Sequence, residues 1–190
     1  MHNKGLQGGV GFCHSLGMKD DTTENPPLVR QAMRARLDAL PPAPARVLRP
    51  PPAADVEALA ALLYQAYLGT LDYVGESEAD AVSEVQRTFA GDYGEFLPQY
   101  SRLAEQEATL ASAALITRLR GQPLVAFTVT HPRYQRIGLA RACLACAMHA
   151  LASEGESELS LVVTLANIPA VMLYERLGFV FVGSQTTTKP

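Results

Sequence analysis

The 190-residue chain is 48% hydrophobic and 18% charged, with a formal net charge of -3 and a pI near 5.8. That length suits one domain around one buried core, the acidic balance argues against a nucleic-acid partner, and no apolar run reaches the roughly 18 residues that span a bilayer. Three cysteines, with Cys143 and Cys146 close together, form no disulfide framework, and the N-terminus lacks the apolar stretch and cleavage site of a secretory leader, so a cytoplasmic protein is expected.

Residues 1–25 are Gly-rich, polar and without periodicity, which predicts a flexible arm. Gly8, Gly9 and Gly11 are read as flexibility and not as a phosphate loop, because no strand precedes them. Residues 28–40 are expected to form a short amphipathic helix with Arg30, Arg34 and Arg36 on wet positions, closing an N-terminal segment of residues 1–44. The main domain is expected over 45–190, opening with an edge strand at 46–49 between prolines.

Val56, Leu59, Ala60, Leu63, Tyr64 and Tyr67 recur at helical spacing, which predicts a helix over 54–68 ended by Gly69, and a second helix is expected over 77–89. Strands are expected at 101–105, 110–119 and 123–130, the last two joined by the turn Arg120-Gly121-Gln122. A helix at 138–153 is apolar enough to be covered on most sides; a short buried strand at 159–164, a helix at 168–177 stopped by Gly178, and a strand at 179–182 complete the pattern. This order predicts an α/β sandwich around a mixed, mostly antiparallel sheet.

The chemistry is expected where the strand ending in Val129 and Thr130 runs through Gln135, Arg136 and Ile137 into the helix begun by Gly138, Leu139 and Ala140. Free amides of a first helical turn and the positive end of its dipole suit a pyrophosphate; Gly138 and Ala140 allow close approach, and Arg136 and Arg141 add charge at the rim. A dinucleotide fingerprint would need two more glycines than Gly138. Cys143 and Cys146 lack ligand partners and are read as core, so no metal is expected; His131 is read as exposed and His149 as a partly exposed helix histidine.

Gln135, Gly138 and Ala140 meet the Gln/Arg-x-x-Gly-x-Gly/Ala pattern of the GNAT acetyltransferases, which the chain resembles over about residues 45–183. A second match is Asn167-Ile168-Pro169-Ala170 followed by Tyr174-Glu175-Arg176-Leu177-Gly178-Phe179. The resemblance implies a GNAT-like fold, acetyl-CoA as cosubstrate and a small-molecule or peptide amine as acceptor. It implies that Val129 and Thr130 bond pantetheine from a splayed strand, that residues 135–140 hold pyrophosphate, that Asn167 contacts the cofactor arm and that Tyr174 is the general acid.

Two departures stand out. The strand 123–130 carries no carboxylate where the family often has one, so Asp72, Tyr73 and Glu76, or Tyr93 with Asp92 and Glu95, are the candidates for the acceptor side. Only Gly183–Pro190 follow Val182 where relatives add a seventh strand, so a sheet edge is expected to be covered by the N-terminal arm or by a partner chain such as a second copy. The alternative to an enzyme is a catalytically degenerate acyl-CoA-binding or protein-interaction module.

Overall fold

The computed structural model describes residues 28–183, so the expected arm at 1–25, with its glycines, lies outside the described residues. Seven strands form one sheet: β1 (Arg30–Arg36), β2 (Glu95–Phe96), β3 (Arg102–Gln106), β4 (Thr109–Leu119), β5 (Gln122–Thr130), β6 (Glu158–Thr164) and β7 (Val180–Phe181). Their order is β2-β4-β5-β6-β1-β7, with β3 also paired to β4; β5 and β6 run parallel and every other pairing is antiparallel. Among the described residues there are four α-helices: α1 (Val56–Tyr67), α2 (Glu78–Ala90), α3 (Leu139–Ser153) and α4 (Ile168–Arg176). This is the mixed, mostly antiparallel α/β sandwich expected.

The sheet separates two cores, because consecutive strand residues point to opposite faces. On β4, Ala113 and Leu115 pack with Leu59, Leu63 and Val85 of α1 and α2, whereas Ala114 and Ile116 pack with Leu144, Met148 and Leu151 of α3. Ser77 caps α2: its Oγ accepts from Asp80 N at 3.2 Å while the Asp80 carboxylate accepts from Ser77 N at 2.8 Å, so each satisfies a donor the helix start leaves free. Gly94 is required where the chain turns into β2, since its φ is +98° and an added Cβ would lie 2.5 Å from the Arg118 carbonyl oxygen.

Residues 28–40 are not helical, and the sheet begins well before residue 45. Strand β1 pairs along its whole length with β6, from Arg30 opposite Thr164 to Arg36 opposite Glu158, and on its other side with β7 at Met33 and Arg34. Gln, Ala, Met and Arg favour helices in isolation. The segment nevertheless alternates, with Met33, Ala35 and Leu37 buried and Arg34 and Arg36 exposed, and a vacant sheet edge offers hydrogen bonds that local propensity cannot match. The flank of β6 is thus covered by residues 30–36, and the sheet reaches seven strands with β7 at its end, so the expectation of a missing seventh strand after Val182 is corrected; the arm at 1–25 lies outside the described residues. The strand expected at 46–49 reduces to one bridge, Arg49 to Leu103.

Candidate functional site

Strands β5 and β6 begin side by side but share one paired position, Leu124 with Ser160. Beyond it they part. An extra residue in β5, Ala126, sits opposite the Leu115–Ile116 step of β4 and bends the strand away. Among the described residues the β6-facing backbone of residues 126–130 therefore has no strand partner, an arrangement that is costly unless something polar enters the gap. A cleft of about 790 Å³ opens there, lined by β5 from Val125 to Thr130, by β6 from Leu161 to Thr164, and by the start of α3 and the inner face of α4.

At one end of the cleft the chain leaves β5 through a single turn of 3-10 helix, Pro132–Tyr134, whose first amide is capped by His131 Nδ1. Gly138 then takes φ +84°, and α3 starts with no side-chain cap. The Ala142 amide is the first to bond back, to the Gly138 carbonyl, so among the described residues the preceding amides of the helix remain open. Gln135, Arg136, Gly138, Leu139, Ala140 and Arg141 line the cleft here, while Ile137 does not and is half exposed.

At the centre stands Tyr174 of α4, buried and edge-on to Phe179 at 5.8 Å. Burial pushes its phenol above the ordinary value; the neighbouring Thr128 hydroxyl opposes this in part, and the charge of Asp72 adds to the rise. Thr128 Oγ1 is itself buried and makes no hydrogen bond within normal geometry among the described residues. Asn167 also lines the cleft, with its Oδ1 accepting from Ala170 N at 3.2 Å to cap α4. Val129 and Thr130 reach it too; Ser112 Oγ lies 2.8 Å from the Val129 carbonyl oxygen and from Thr130 Oγ1.

The other end is closed by Tyr67 at the end of α1, by Thr70 and Asp72 from the α1–α2 connection, and by Arg30 from β1. Among the described residues Asp72 is the only carboxylate lining the cleft. Tyr73 and Glu76 do not line it: the Tyr73 hydroxyl donates to the Glu76 carbonyl at 3.1 Å, and buried Glu76 Oε2 accepts from Val74 N at 2.9 Å, which ties the loop to itself. Tyr93 is also remote, buried with its hydroxyl on Glu84 Oε2 at 2.8 Å. Asp92 pairs with Arg87 and Glu95 lies in β2.

Sequence reasoning missed Arg30, Thr128, Thr164 and Arg176, all of which line the cleft. Alternation over residues 33–37 carried the signal for a strand that would bring Arg30 to the sheet. Cys143 is buried in α3, where desolvation pushes its thiol up to about 12. His149 is a partly exposed helix histidine, as expected, with its Nε2 2.7 Å from the Pro41 carbonyl oxygen.

A profile of the Acetyltransferase (GNAT) family matches residues 63–179. The [Ribosomal protein bS18]-alanine N-acetyltransferase of Escherichia coli K12 is 32% identical over 104 residues, which are 55% of this chain and 69% of that protein. Among solved structures, a GCN5-related N-acetyltransferase from Sphaerobacter thermophilus superposes with a TM-score of 0.63 at 20% identity, over 80% of this chain. The Escherichia coli ribosomal-protein-S18-alanine N-acetyltransferase superposes with a TM-score of 0.54 at 25% identity, over 70% of this chain and 77% of its own. The chain spans 48% of the Sphaerobacter protein, about half its length.

Proposed function

Because the chain belongs to the GNAT acetyltransferase family, we propose that it transfers the acetyl group of acetyl-CoA to a primary amine by direct attack, with Tyr174 as general acid. The observation that carries this reading is the parting of β5 from β6 after Leu124, which opens a cleft running from the uncapped start of α3 past Tyr174 to Asp72. An extended chain of amides fits that gap because the exposed edge of β5 offers it donors and acceptors, and Thr128 Oγ1 is a further open partner.

Acetyl-CoA supplies an acyl group already activated as a thioester. The backbone amides after Gly138, with Gln135, Arg136 and Arg141, hold the pyrophosphate; Val129 and Thr130 offer main-chain atoms to the pantetheine arm; Asn167 borders it. The Tyr174 phenol, protonated at neutral pH as any tyrosine is, donates the proton that the departing sulfur needs, and its raised pKa extends that protonated range upward. Asp72 attracts the protonated amine to the far end of the cleft, where it gives up one proton to water; its nitrogen then attacks the thioester carbonyl, the C–N bond forms as the C–S bond breaks, and the sulfur leaves as the thiol. Tyr73 and Glu76 tie down the α1–α2 loop at this end without lining the cleft, and Tyr93 lies remote from it.

The test is thermal unfolding with and without acetyl-CoA, run beside Gly138→Asp. Ligand at about 100 times its dissociation constant adds about 2.7 kcal/mol to native stability. Aspartate at 138 places charge against the phosphates and is strained at φ +84°, so the readout is the ligand-induced shift and not the starting midpoint. A shift in the parent protein that vanishes in the variant supports the reading; no shift at saturating ligand sinks it in favour of a protein-interaction module.

A further inference from the structure

The acceptor end of the cleft holds opposite charges side by side. Arg30 Nε donates to Thr164 Oγ1 at 3.2 Å, Thr164 Oγ1 donates to Asp72 Oδ1 at 2.7 Å, and Arg30 Nη2 lies 3.4 Å from the same oxygen. Three elements thereby fix one another: β1 through Arg30, β6 through Thr164, and the α1–α2 connection through Asp72. Both charged side chains are mostly buried, 19% and 16% exposed.

The network uses only part of what the two ions offer. A guanidinium presents five N–H donors and a carboxylate about four lone-pair sites. Among the described residues Arg30 Nη1 and Asp72 Oδ2 make no hydrogen bond, and both side chains line the cleft. The charge of Asp72 also reaches Tyr174, so this end of the cleft adjoins the expected site of transfer.

Such a pair discriminates. An acceptor carrying only an ammonium group gains at Asp72 but meets the positive charge of Arg30 beside it, and a half-buried site screens that repulsion poorly. An acceptor carrying an ammonium and a carboxylate a few ångströms apart answers both ions, and the planar guanidinium suits a carboxylate through two parallel N–H bonds.

Resting on the acetyltransferase reading above, we propose that the acceptor is a zwitterion of the α-amino-acid class: its carboxylate sits on the free edge of Arg30 and its ammonium on Asp72, which turns the nitrogen toward Tyr174, and one ammonium proton passes to water before the freed amine attacks the thioester carbonyl. Arg30 is then a specificity-determining residue contributed by β1, a strand outside the part of the chain that the family profile matches.

The test is acetyl transfer from acetyl-CoA to the twenty standard amino acids, to their carboxamides and to dialanine, with the parent protein and with Arg30→Gln. The expected result is that at least one free amino acid is acetylated and that its carboxamide and the dipeptide are taken about 10- to 100-fold less efficiently. In Arg30→Gln the KM for that amino acid rises by about the same factor, acid and amide become equivalent, and the acetyl-CoA dissociation constant moves less than about twofold. The parent's comparison of acid with amide needs no variant, so it decides the matter even if Arg30→Gln folds poorly. Carboxamides or dialanine accepted as well as the acid, or no free amino acid accepted while acetyl-CoA still binds, overturns the zwitterion and leaves the cofactor site standing. Absence of acetyl-CoA binding overturns the earlier reading instead.

Discussion

Arg30 of β1 stands directly opposite Thr164 of β6 and donates to its hydroxyl at 3.2 Å. That one hydrogen bond joins the N-terminal segment of the chain to the wall of the cleft. Positions of β1 therefore affect the cleft through the sheet, and its buried face must be as necessary to the fold as any strand in the centre. Met33 is fully buried in the core shared with α3 and α4. Met33→Ala is expected to cost about 2–5 kcal/mol in urea unfolding, against about 0.5 kcal/mol or less for the exposed neighbour change Arg34→Ala. Equal, small effects at both positions would mean that β1 is not held in the sheet.

The cap of α2 makes a separate, pH-dependent prediction. Hydrogen bonds from the Ser77 amide and then the Ser77 hydroxyl hold the Asp80 carboxyl below its ordinary range. A depressed folded-state pKa means that the unfolded chain takes up the proton first. The cap's contribution is therefore complete above the unfolded value of about 3.9 and is lost as pH falls through the lower folded value. Ser77→Ala is expected to cost about 1 kcal/mol at pH 7. The gap between the parent protein and Asp80→Asn, measured by denaturant titration, should narrow below about pH 4; a gap that widens there would contradict the sign.

Which parts of this architecture were legible in the sequence follows from what each part depends on. The α1, α2, α3 and α4 helices and the β4–β5 hairpin could be read from residues close in the chain, since periodicity, caps and turn glycines are local. The start of α3 was legible for the same reason: Gly138 marks a helix opening wherever the rest of the chain goes. Strand β1 was not, because its conformation is decided by the empty flank of β6, over a hundred residues away, against its own helical propensity. Arg30 was lost with it. Tyr73, Glu76 and Tyr93 could be placed in the right loops from sequence, but whether a loop side chain turns to a cleft or bonds its own backbone is set by three-dimensional packing.

Cys143 and Cys146 lie one turn apart on α3, yet their environments differ. Burial raises both thiols, Cys143 up to about 12 and Cys146 by less desolvation. A thiol of that pKa is about one part in ten thousand thiolate at pH 8, and the thiolate is the reactive form. Iodoacetamide followed by peptide mass spectrometry is expected to modify Cys146 first and to leave Cys143 intact until denaturant opens the fold. Early labelling of Cys143 in the native protein would show that the core around α3 is looser than its packing against Ser112 and Leu144 implies.

The pairing of Tyr174 with Thr128 leads to the prediction nearest the chemistry. The phenol is buried, its pKa is raised, and Thr128 Oγ1 waits beside it without a hydrogen bond of its own among the described residues. A general acid must be protonated to act, and a raised pKa extends the range over which it is. Catalysis is therefore expected to hold up to about pH 10 and to fall only beyond it, where the ordinary tyrosine would already have lost half its protons. Tyr174→Phe removes the donor while keeping the ring packed against Phe179, so kcat is expected to drop by about 100-fold or more with the acetyl-CoA dissociation constant unchanged. Thr128→Val should leave the proton donor in place and weaken cofactor binding, because it removes a buried hydroxyl that lines the cleft beside Tyr174. If Tyr174→Phe instead raises KM with kcat intact, the phenol holds the substrate and some other group, or water, delivers the proton.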